Sequence, residues 1–222
     1  MDAITVKHLT KTYGHGEAAV HALRDVNVSF QEGMFSAIIG TSGSGKSTLL
    51  NLMGGLTNAD SGEIICGSKN ILTLNDAKLS RFRREQTGFV FQSFNLIPEL
   101  TAKENILMPV RMGKKKADMD HFNHLTKTLG IADRLSHYPA QLSGGQQQRT
   151  AIARALINHP KIMLCDEPTG NLDKKSGEEV LSLLQGMQSE YGLTIIMVTH
   201  DNQIAKRADC MIQIEDGQVV DT

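Results

Sequence analysis

A glycine-rich stretch at 40–47, GTSGSGKS, has the residue types and spacing of a phosphate-binding loop, GxxxxGK followed by Ser or Thr. An apolar strand predicted at 34–40 precedes it and a helix predicted at 46–56 follows it, which is the context that this pattern requires. The glycines let backbone N–H groups turn inward around phosphate oxygens, and the helix start adds further N–H groups and its dipole. In such a loop the lysine reaches the outer phosphates and the next serine is placed for Mg²⁺. The candidate phosphate-binding residues are Gly40, Ser42, Gly43, Ser44, Gly45, Lys46, Ser47 and Thr48.

Two adjacent carboxylates, Asp166 and Glu167, end a second apolar strand with the sequence IMLCDE. An acid at a strand end often only caps the next element. Beside a phosphate-binding loop the pair predicts hydrolysis, because a metal ion must neutralise phosphate charge while another group positions the attacking water. Asp166 is therefore the candidate for holding Mg²⁺, directly or through water. Glu167 is the candidate for orienting and polarising that water.

A second glycine-rich helix start lies at 142–149, with the sequence LSGGQQQR. Ser143 is a predicted N-cap, and Gly144 and Gly145 leave backbone N–H groups uncovered. The start of a helix carries roughly half a positive charge, so this surface attracts an anion. A plain capped helix is the alternative that these residues leave open.

Alternating strands and helices must position these groups. Strands that alternate apolar and polar residues are predicted at 3–9 and 20–30, where they form an antiparallel edge. More continuously apolar strands elsewhere favour an α/β fold with a buried parallel sheet. His200 ends one of them, at the sheet edge where α/β proteins gather ligands. The remaining predicted elements are strands at 63–71, 87–92, 161–166 and 193–200, helical segments over 101–158 and 174–192, and a hairpin at 210–221 turning on Asp216 and Gly217.

Four motifs in combination resemble a known family. GTSGSGKST, LSGGQ, LCDEPTGNLD and VTH occur in this order, and the chain is similar over essentially its whole length to the nucleotide-binding subunit of ATP-binding cassette (ABC) transporters. The resemblance implies a P-loop NTPase core with a parallel sheet, an antiparallel β subdomain and a helical insertion, within a single ABC ATPase domain over 1–222. The core with its antiparallel part would take about 1–92 and 159–222, and the helical subdomain about 93–158.

The resemblance implies roles for four further residues. Tyr13 matches the aromatic residue that stacks on adenine, and Gln92 matches the glutamine that touches Mg²⁺ and senses the membrane partner. Asp173 matches an aspartate that communicates across a dimer, and His200 matches the histidine that contacts the γ-phosphate. Without the family, Tyr13 is more simply a packing residue, Gln92 carries no signal, and His200 is equally well a capping or core histidine.

The resemblance also implies a role for LSGGQ. Ser143, Gly144, Gly145 and Gln146 would complete the nucleotide site of a second subunit, so that two ATP molecules lie between two cassettes arranged head to tail. The implied reaction is hydrolysis of ATP to ADP and phosphate, with Mg²⁺ as cofactor. The implied partners are a second copy of the chain and a separate transmembrane permease.

The flanking sequences are similar to a bacterial subfamily that includes macrolide-exporter, lipoprotein-release and peptide-antibiotic-resistance ATPases. This likeness implies export or mechanotransmission; an importer ATPase, or a non-transport ABC ATPase acting in DNA repair or translation, are the alternatives. The chain ends slightly earlier than expected for this group, which leaves a trimmed C-terminus open. The expected permease contact lies around 94–106, where the following side chains either dock the permease or pack the core of the helical insertion: Phe94, Leu96, Ile97 and Leu100.

Charge and composition limit the partners. Twenty-three basic and twenty-four acidic side chains leave a formal charge of −1, which disfavours nucleic acid as the main partner. The longest apolar runs are far shorter than the ~20 residues that span a bilayer, and the first residues lack the pattern of a secretion signal. We therefore expect a cytoplasmic protein that is peripheral on the inner face of the cell membrane. The three cysteines are too scattered for a CxxC zinc site and suit reduced thiols.

Overall fold

The computed structural model describes residues 1–221. Its strands, in chain order, are β1 (Asp2–Tyr13), β2 (Val20–Gln31), β3 (Phe35–Ile39), β4 (Ser61–Cys66), β5 (Lys69–Asn70), β6 (Thr87–Phe91), β7 (Ile162–Asp166), β8 (Thr194–Val198), β9 (Cys210–Glu215) and β10 (Gln218–Asp221). Its helices are α1 (Lys46–Met53), α2 (Asp76–Glu85), α3 (Ala102–Met112), α4 (Met119–Thr128), α5 (Gly144–Leu156), α6 (Lys174–Tyr191) and α7 (Asn202–Ala205).

The strands form two sheets. The larger sheet has the order β10-β9-β3-β8-β7-β6, in which every neighbouring pair is parallel except β10 and β9. The smaller sheet has the order β2-β1-β4-β5 and is antiparallel throughout. In the larger sheet Asp166 of β7 lies between Phe91 of β6 and Val198 of β8. The carboxyl ends of these strands therefore meet at one edge, and the predicted α/β fold with an antiparallel part is confirmed.

Apolar clusters cover both faces of the parallel sheet. Along β7, Ile162 and Leu164 belong to a cluster that includes the antiparallel sheet and α1, whereas Met163 and Cys165 belong to a cluster that includes α3, α4, α5 and α6. Because both faces are buried, the inner strands are continuously apolar, and polar groups collect where the strands end.

The structure differs from the predicted elements in two places. α2 was not predicted, because its residues are mostly charged and Phe82 is its one buried side chain, so hydrophobic periodicity gives little signal. The strand predicted at 63–71 is divided into β4 and β5 by a turn. The predicted hairpin is confirmed: Asp216 and Gly217 have φ angles of 45° and 78°, as a two-residue hairpin turn requires.

The helical stretch expected over 101–158 contains α3, α4 and α5, with two short 3₁₀ turns between α4 and α5. Its boundaries as a subdomain, near 93 and 158, stay a prediction. Over the part of the chain that the structure describes, every helix is too short or too polar to cross a bilayer.

Candidate active site

The glycine-rich loop connects β3 to α1, as its sequence predicts. Two of its glycines are required by close backbone contacts: a Cβ on Gly40 would lie 2.1 Å from the carbonyl oxygen of Ile214, and a Cβ on Gly45 would lie 2.3 Å from that of Ala22. The N–H of Gly217 also donates to the Ser44 carbonyl at 3.0 Å. The loop is thus held between β2 and the β9–β10 hairpin.

Lys46 begins α1 and its side chain turns back into the loop. Its Nζ donates to the carbonyl oxygens of Gly40 at 3.0 Å and Thr41 at 2.6 Å. Burial lowers the pKa of Lys46, while the charges of Glu167 and Asp166 oppose that shift. Among the described residues, the buried Ser44 Oγ has no hydrogen-bond partner. A positive group and an unused hydroxyl inside a loop of backbone N–H groups suit the oxygens of a phosphate chain.

Ser47 and Asp166 are brought together from distant parts of the chain. The Ser47 hydroxyl donates to Asp166 Oδ1 at 2.9 Å. Burial raises the pKa of Asp166, and the neighbouring charge of Glu167 adds to this, whereas the Ser47 hydrogen bond and Lys46 lower it. A hydroxyl and a carboxylate beside a phosphate loop are the hard oxygen ligands that Mg²⁺ prefers, so the donor set fits that ion.

Glu167 follows β7 and faces His200, which follows β8. Its Oε1 lies 3.0 Å from the Nδ1 of His200. Glu167 has a φ of 46°, and its backbone N–H donates to the Val198 carbonyl at 3.1 Å. The Glu167 side chain is 25% exposed and that of His200 is 69% exposed. The pair therefore lies at the mouth of the site, next to Asp166.

Gln92 follows β6 and contacts the loop after Glu167. Its Nε2 donates to Asn171 Oδ1 at 3.3 Å, and Asn171 Nδ2 donates back to the Gln92 carbonyl at 3.1 Å. A Cβ on Gly170 would lie 2.6 Å from the Gln92 Nε2, so glycine there permits this approach. Gln92 is thus tied to the segment that follows the two carboxylates.

Two amide side chains near the site were missed by the sequence analysis. One is Asn171, whose contact with Gln92 no motif spacing predicts. The other is Gln148 of α5, which is fully buried and donates to the Pro168 carbonyl at 2.5 Å. Gln148 shares its buried helix face with Gly145 and Ile152, and this three- and four-residue spacing was the available signal for a polar residue facing inward.

The predicted N-cap at Ser143 is confirmed. Ser143 Oγ accepts from the N–H of Gln146 at 3.3 Å, and Gln146 Oε1 accepts from the N–H of Ser143 at 2.9 Å, which forms a capping box. The atoms nearest to a Cβ placed on Gly144 belong to Leu172, Phe94 and Asn171. Within one chain, this helix start therefore borders the 171–172 segment and not the phosphate-binding loop.

The other predicted residues lie around these groups. Asp173 caps α6, because its carboxylate accepts from the N–H and the hydroxyl of Ser176 at 3.0 and 2.6 Å, and these bonds lower its pKa. Tyr13 ends β1, is 43% exposed, and has the Lys11 Nζ 5.2 Å from its ring centre. Ser42 and Gly43 are exposed on the loop, Gly145 is buried in α5, and Thr48 is half-buried in α1.

Residues 23–170 match the family model described as ABC transporter. The chain is 46% identical over 220 residues to the uncharacterized ABC transporter ATP-binding protein MJ1508 of Methanocaldococcus jannaschii, with 98% of each chain covered. It is 44% identical over 219 residues to the lipoprotein-releasing system ATP-binding protein LolD of Geobacter metallireducens, with 98% of this chain and 97% of LolD covered. It is 46% identical over 223 residues to the macrolide export ATP-binding/permease protein MacB of Mannheimia succiniciproducens. That alignment covers 100% of this chain but only 34% of MacB.

The fold is also similar to solved structures. One is a dimeric structure of a post-hydrolysis state of the ATP-binding cassette MJ0796 bound to ADP and Pi, with a TM-score of 0.90, 42% identity, and 98% of this chain and 97% of that chain covered. Another is a dimeric structure of MJ0796, described as a bacterial ABC transporter cassette, with the same TM-score, 44% identity and the same coverage. MJ0796 comes from Methanocaldococcus jannaschii.

Proposed function

Because this chain belongs to the ABC transporter family, as one of its ATP-hydrolysing subunits, we propose that it binds ATP at the loop 40–48 and uses hydrolysis to drive a separate membrane permease. The observation that carries this proposal is the convergence of groups from three neighbouring strands. Lys46 and Ser47 follow β3, and Asp166 ends β7 within hydrogen-bond distance of Ser47. Glu167 and His200 lie together beside them.

The phosphate chain would be held by the N–H groups of the loop, by Lys46 and by the free hydroxyl of Ser44. Magnesium would be held by Ser47, Asp166 and Gln92, and it would neutralise charge on the phosphate oxygens. Lys46 Nζ already lies among carbonyls of its own loop, so phosphate oxygens would replace those acceptors without a large movement. Tyr13, exposed at the end of β1, would stack on adenine.

Glu167 would act on the attacking water. A carboxylate can accept a proton from water, and the 3.0 Å contact with His200 would hold its Oε1 in a fixed direction. His200 would then use its other nitrogen toward the γ-phosphate. The positive φ of Glu167 supports this role, because strained backbone conformations are frequent at active sites.

A second copy of the chain would supply the rest of the site. Ser143, Gly144, Gly145 and Gln146 present the start of α5 away from the loop of their own chain, which supports their use toward the nucleotide of a partner. Asp173, on the neighbouring 171–173 segment, would contact that partner as well. Both solved structures of MJ0796 are dimeric, which supports a homodimer of this chain.

The permease would dock beside Gln92. Phe94, Leu96, Ile97 and Leu100 are half-buried but belong to neither apolar cluster, so their surface is not committed to the core. A cavity of about 270 Å³ lies nearby. Its lining combines apolar and basic side chains: Phe89, Phe91, Met108 and Pro109 with Arg83, Arg84 and Arg154. The apolar side chains after Gln92 offer a surface for a permease segment. Because Gln92 is bonded to Asn171, a segment docked there would sense the nucleotide state of the site.

The names of the relatives indicate only the class of material that is transported. LolD is named for lipoprotein release and MacB for macrolide export, which supports export or mechanotransmission over import. This chain spans about a third of MacB but 97% of LolD. The cassette would bind the permease at the inner face of the membrane. Isolation of the permease that binds this chain tests export against import. We expect a permease with a large extracytoplasmic domain, and a permease of the importer type would contradict export or mechanotransmission.

Phosphate release from MgATP by the purified chain tests the proposed function. We expect hydrolysis by the wild-type chain, no hydrolysis and no productive ATP binding by Lys46→Ala, and no tight binding of DNA at physiological salt. Lack of ATP binding by the folded wild-type chain would contradict the proposal. Tight binding of DNA or ribosomes would favour a non-transport ATPase instead.

A further inference from the structure

The segment after Gln92 holds two consecutive residues in the left-handed region. Phe94 has a φ of 60° and Asn95 a φ of 49°. Asparagine tolerates this region, but a bulky residue such as phenylalanine rarely adopts it. Such a turn persists only where surrounding groups hold it.

Arg154 is the group that holds this turn. It lies in the last turn of α5, and its guanidinium donates to the Phe94 carbonyl at 2.9 Å and also to the Asn95 carbonyl. Burial lowers the pKa of Arg154, yet a guanidinium remains charged at neutral pH. Within residues 1–221, Arg154 forms no ion pair with a carboxylate, so the two carbonyls are its polar partners.

The same turn also touches the other end of α5. The Phe94 ring lies 3.7 Å from a Cβ placed on Gly144, at the start of the helix. Gln92, two residues before Phe94, is bound to Asn171. The turn is therefore bonded to the last turn of α5 and lies beside the start of that helix, and Gln92 precedes it closely in the chain.

We propose that Arg154 is a positioning residue that makes α5 and the 92–95 segment move as one body, so that Gln92 is placed in the site only when the start of α5 is. This inference rests on the proposed function, since it assumes that Gln92 faces the metal and that α5 faces a partner's nucleotide. Its physical basis is the planar fork of arginine, which can reach two successive carbonyls; a lysine ammonium has a single nitrogen and holds such a pair less rigidly.

The test compares kcat, KM and the Mg²⁺ requirement of ATP hydrolysis in variants. We expect Arg154→Ala to lower kcat about tenfold or more, because small displacements of catalytic groups cost that much, while KM for ATP stays within about twofold. The Mg²⁺ concentration for half-maximal activity should rise, which a general loss of stability would not produce. Arg154→Lys should resemble Arg154→Ala.

The second arm adds Asn95→Gly to Arg154→Ala. Asparagine tolerates the left-handed region better than most residues, but glycine enters it more readily still, so the turn should need Arg154 less and part of the lost kcat should return. Arg111→Ala, an exposed arginine of α3, is the matched control and should leave kcat unchanged. If Arg154→Ala does not fold, Arg154→Gln with and without Asn95→Gly replaces it.

Two results would overturn the inference: full kcat in folded Arg154→Ala, or no recovery when Asn95→Gly is added. Neither is confused with failure of the proposed function, because that failure appears as absence of ATP hydrolysis in the wild-type chain.

Discussion

Glu167 combines a strained backbone with a side chain held by His200 at 3.0 Å. If this carboxylate orients the attacking water, Glu167→Gln should keep ATP binding, because the amide occupies the same space and the phosphate loop is untouched. Turnover should fall by about a hundredfold or more, the range that a lost general base produces. The bound ATP should then stabilise a dimer, seen by gel filtration with MgATP. Hydrolysis at the wild-type rate would show that another group acts as the base.

Asp166, the proposed metal ligand, is partly buried at a cost in stability. Burial raises its pKa above the ordinary value of 3.8, so between that value and the raised one the folded chain binds a proton that the unfolded chain has lost. Stability therefore falls as pH rises through this window, and the loss is complete above it.

Asp166→Asn removes this titration but retains an oxygen that can accept from Ser47. In the absence of nucleotide and Mg²⁺, the variant should have a higher urea midpoint than the wild-type chain at pH 7, and the difference should shrink near pH 4. Hydrolysis of MgATP should be lost. A lower midpoint at pH 7 would mean that attraction to Lys46 outweighs the burial of the charge.

Sequence motifs predict the residues proposed to touch phosphate or metal more readily than those proposed to position them. Lys46, Ser47 and Asp166 occupy fixed places in patterns whose chemistry dictates the residue type. Asn171 and Arg154 act through contacts across 79 and 60 positions of the chain, and no local spacing records such pairs. Their partners are carbonyls and amides, which many residue types can approach, so only the folded chain identifies them.

The phosphate loop depends on the two elements that flank it. Gly43 and Gly45 both have positive φ angles, of 79° and 104°, but a Cβ on Gly43 meets nothing within 4 Å whereas one on Gly45 meets the Ala22 carbonyl at 2.3 Å. Gly43→Ala should cost only the conformational strain, about 1–2 kcal/mol. Gly45→Ala should cost a further ~1–3 kcal/mol, because β2 or the loop must move.

Thermal unfolding without nucleotide separates these two costs, and ATP binding shows whether the loop keeps its shape. We expect Gly45→Ala to lose ATP binding and Gly43→Ala, whose side chain points to open space, to lose less. Equal losses of stability in both variants would contradict the bracing of the loop by β2.

The elements themselves were predictable where burial imposes a pattern. β7 and β8 are covered on both faces, so their continuous apolar runs identified them. α2 packs mainly through Phe82 and carries charged residues elsewhere, so tertiary contacts, and not periodicity, define it. The order of strands in the sheet is likewise a property of packing that alternation along the chain does not contain.

The whole molecule places its two glycine-rich helix starts on different surfaces. The start of α1 faces Asp166 and Glu167, while the start of α5 borders Leu172 and Phe94. The two helix starts, each proposed as half of a nucleotide site, therefore do not meet within one chain. In a head-to-tail dimer each site would take the phosphate loop of one copy and α5 of the other, which makes activity a property of the pair.

Mixing two inactive variants tests this arrangement. Gly144→Asp should leave the fold intact, because a Cβ there is in ordinary contact at 3.4 Å with the Leu172 side chain, but its charge would repel a nucleotide bound to the partner. Lys46→Ala removes the phosphate contact of its own loop. Each variant alone should be inactive, since every site in either homodimer lacks one half.

In mixed dimers one of the two sites combines an intact loop with an intact α5. An equal mixture should therefore recover up to about a quarter of wild-type phosphate release, because half of randomly formed dimers are mixed and each has one complete site. A mixture of Lys46→Ala with Glu167→Gln is the control and should stay inactive, because both defects lie on the same half. If the Gly144→Asp mixture also stays inactive although mixed dimers are detected, or if Gly144→Asp alone hydrolyses ATP, the site is not shared between two chains.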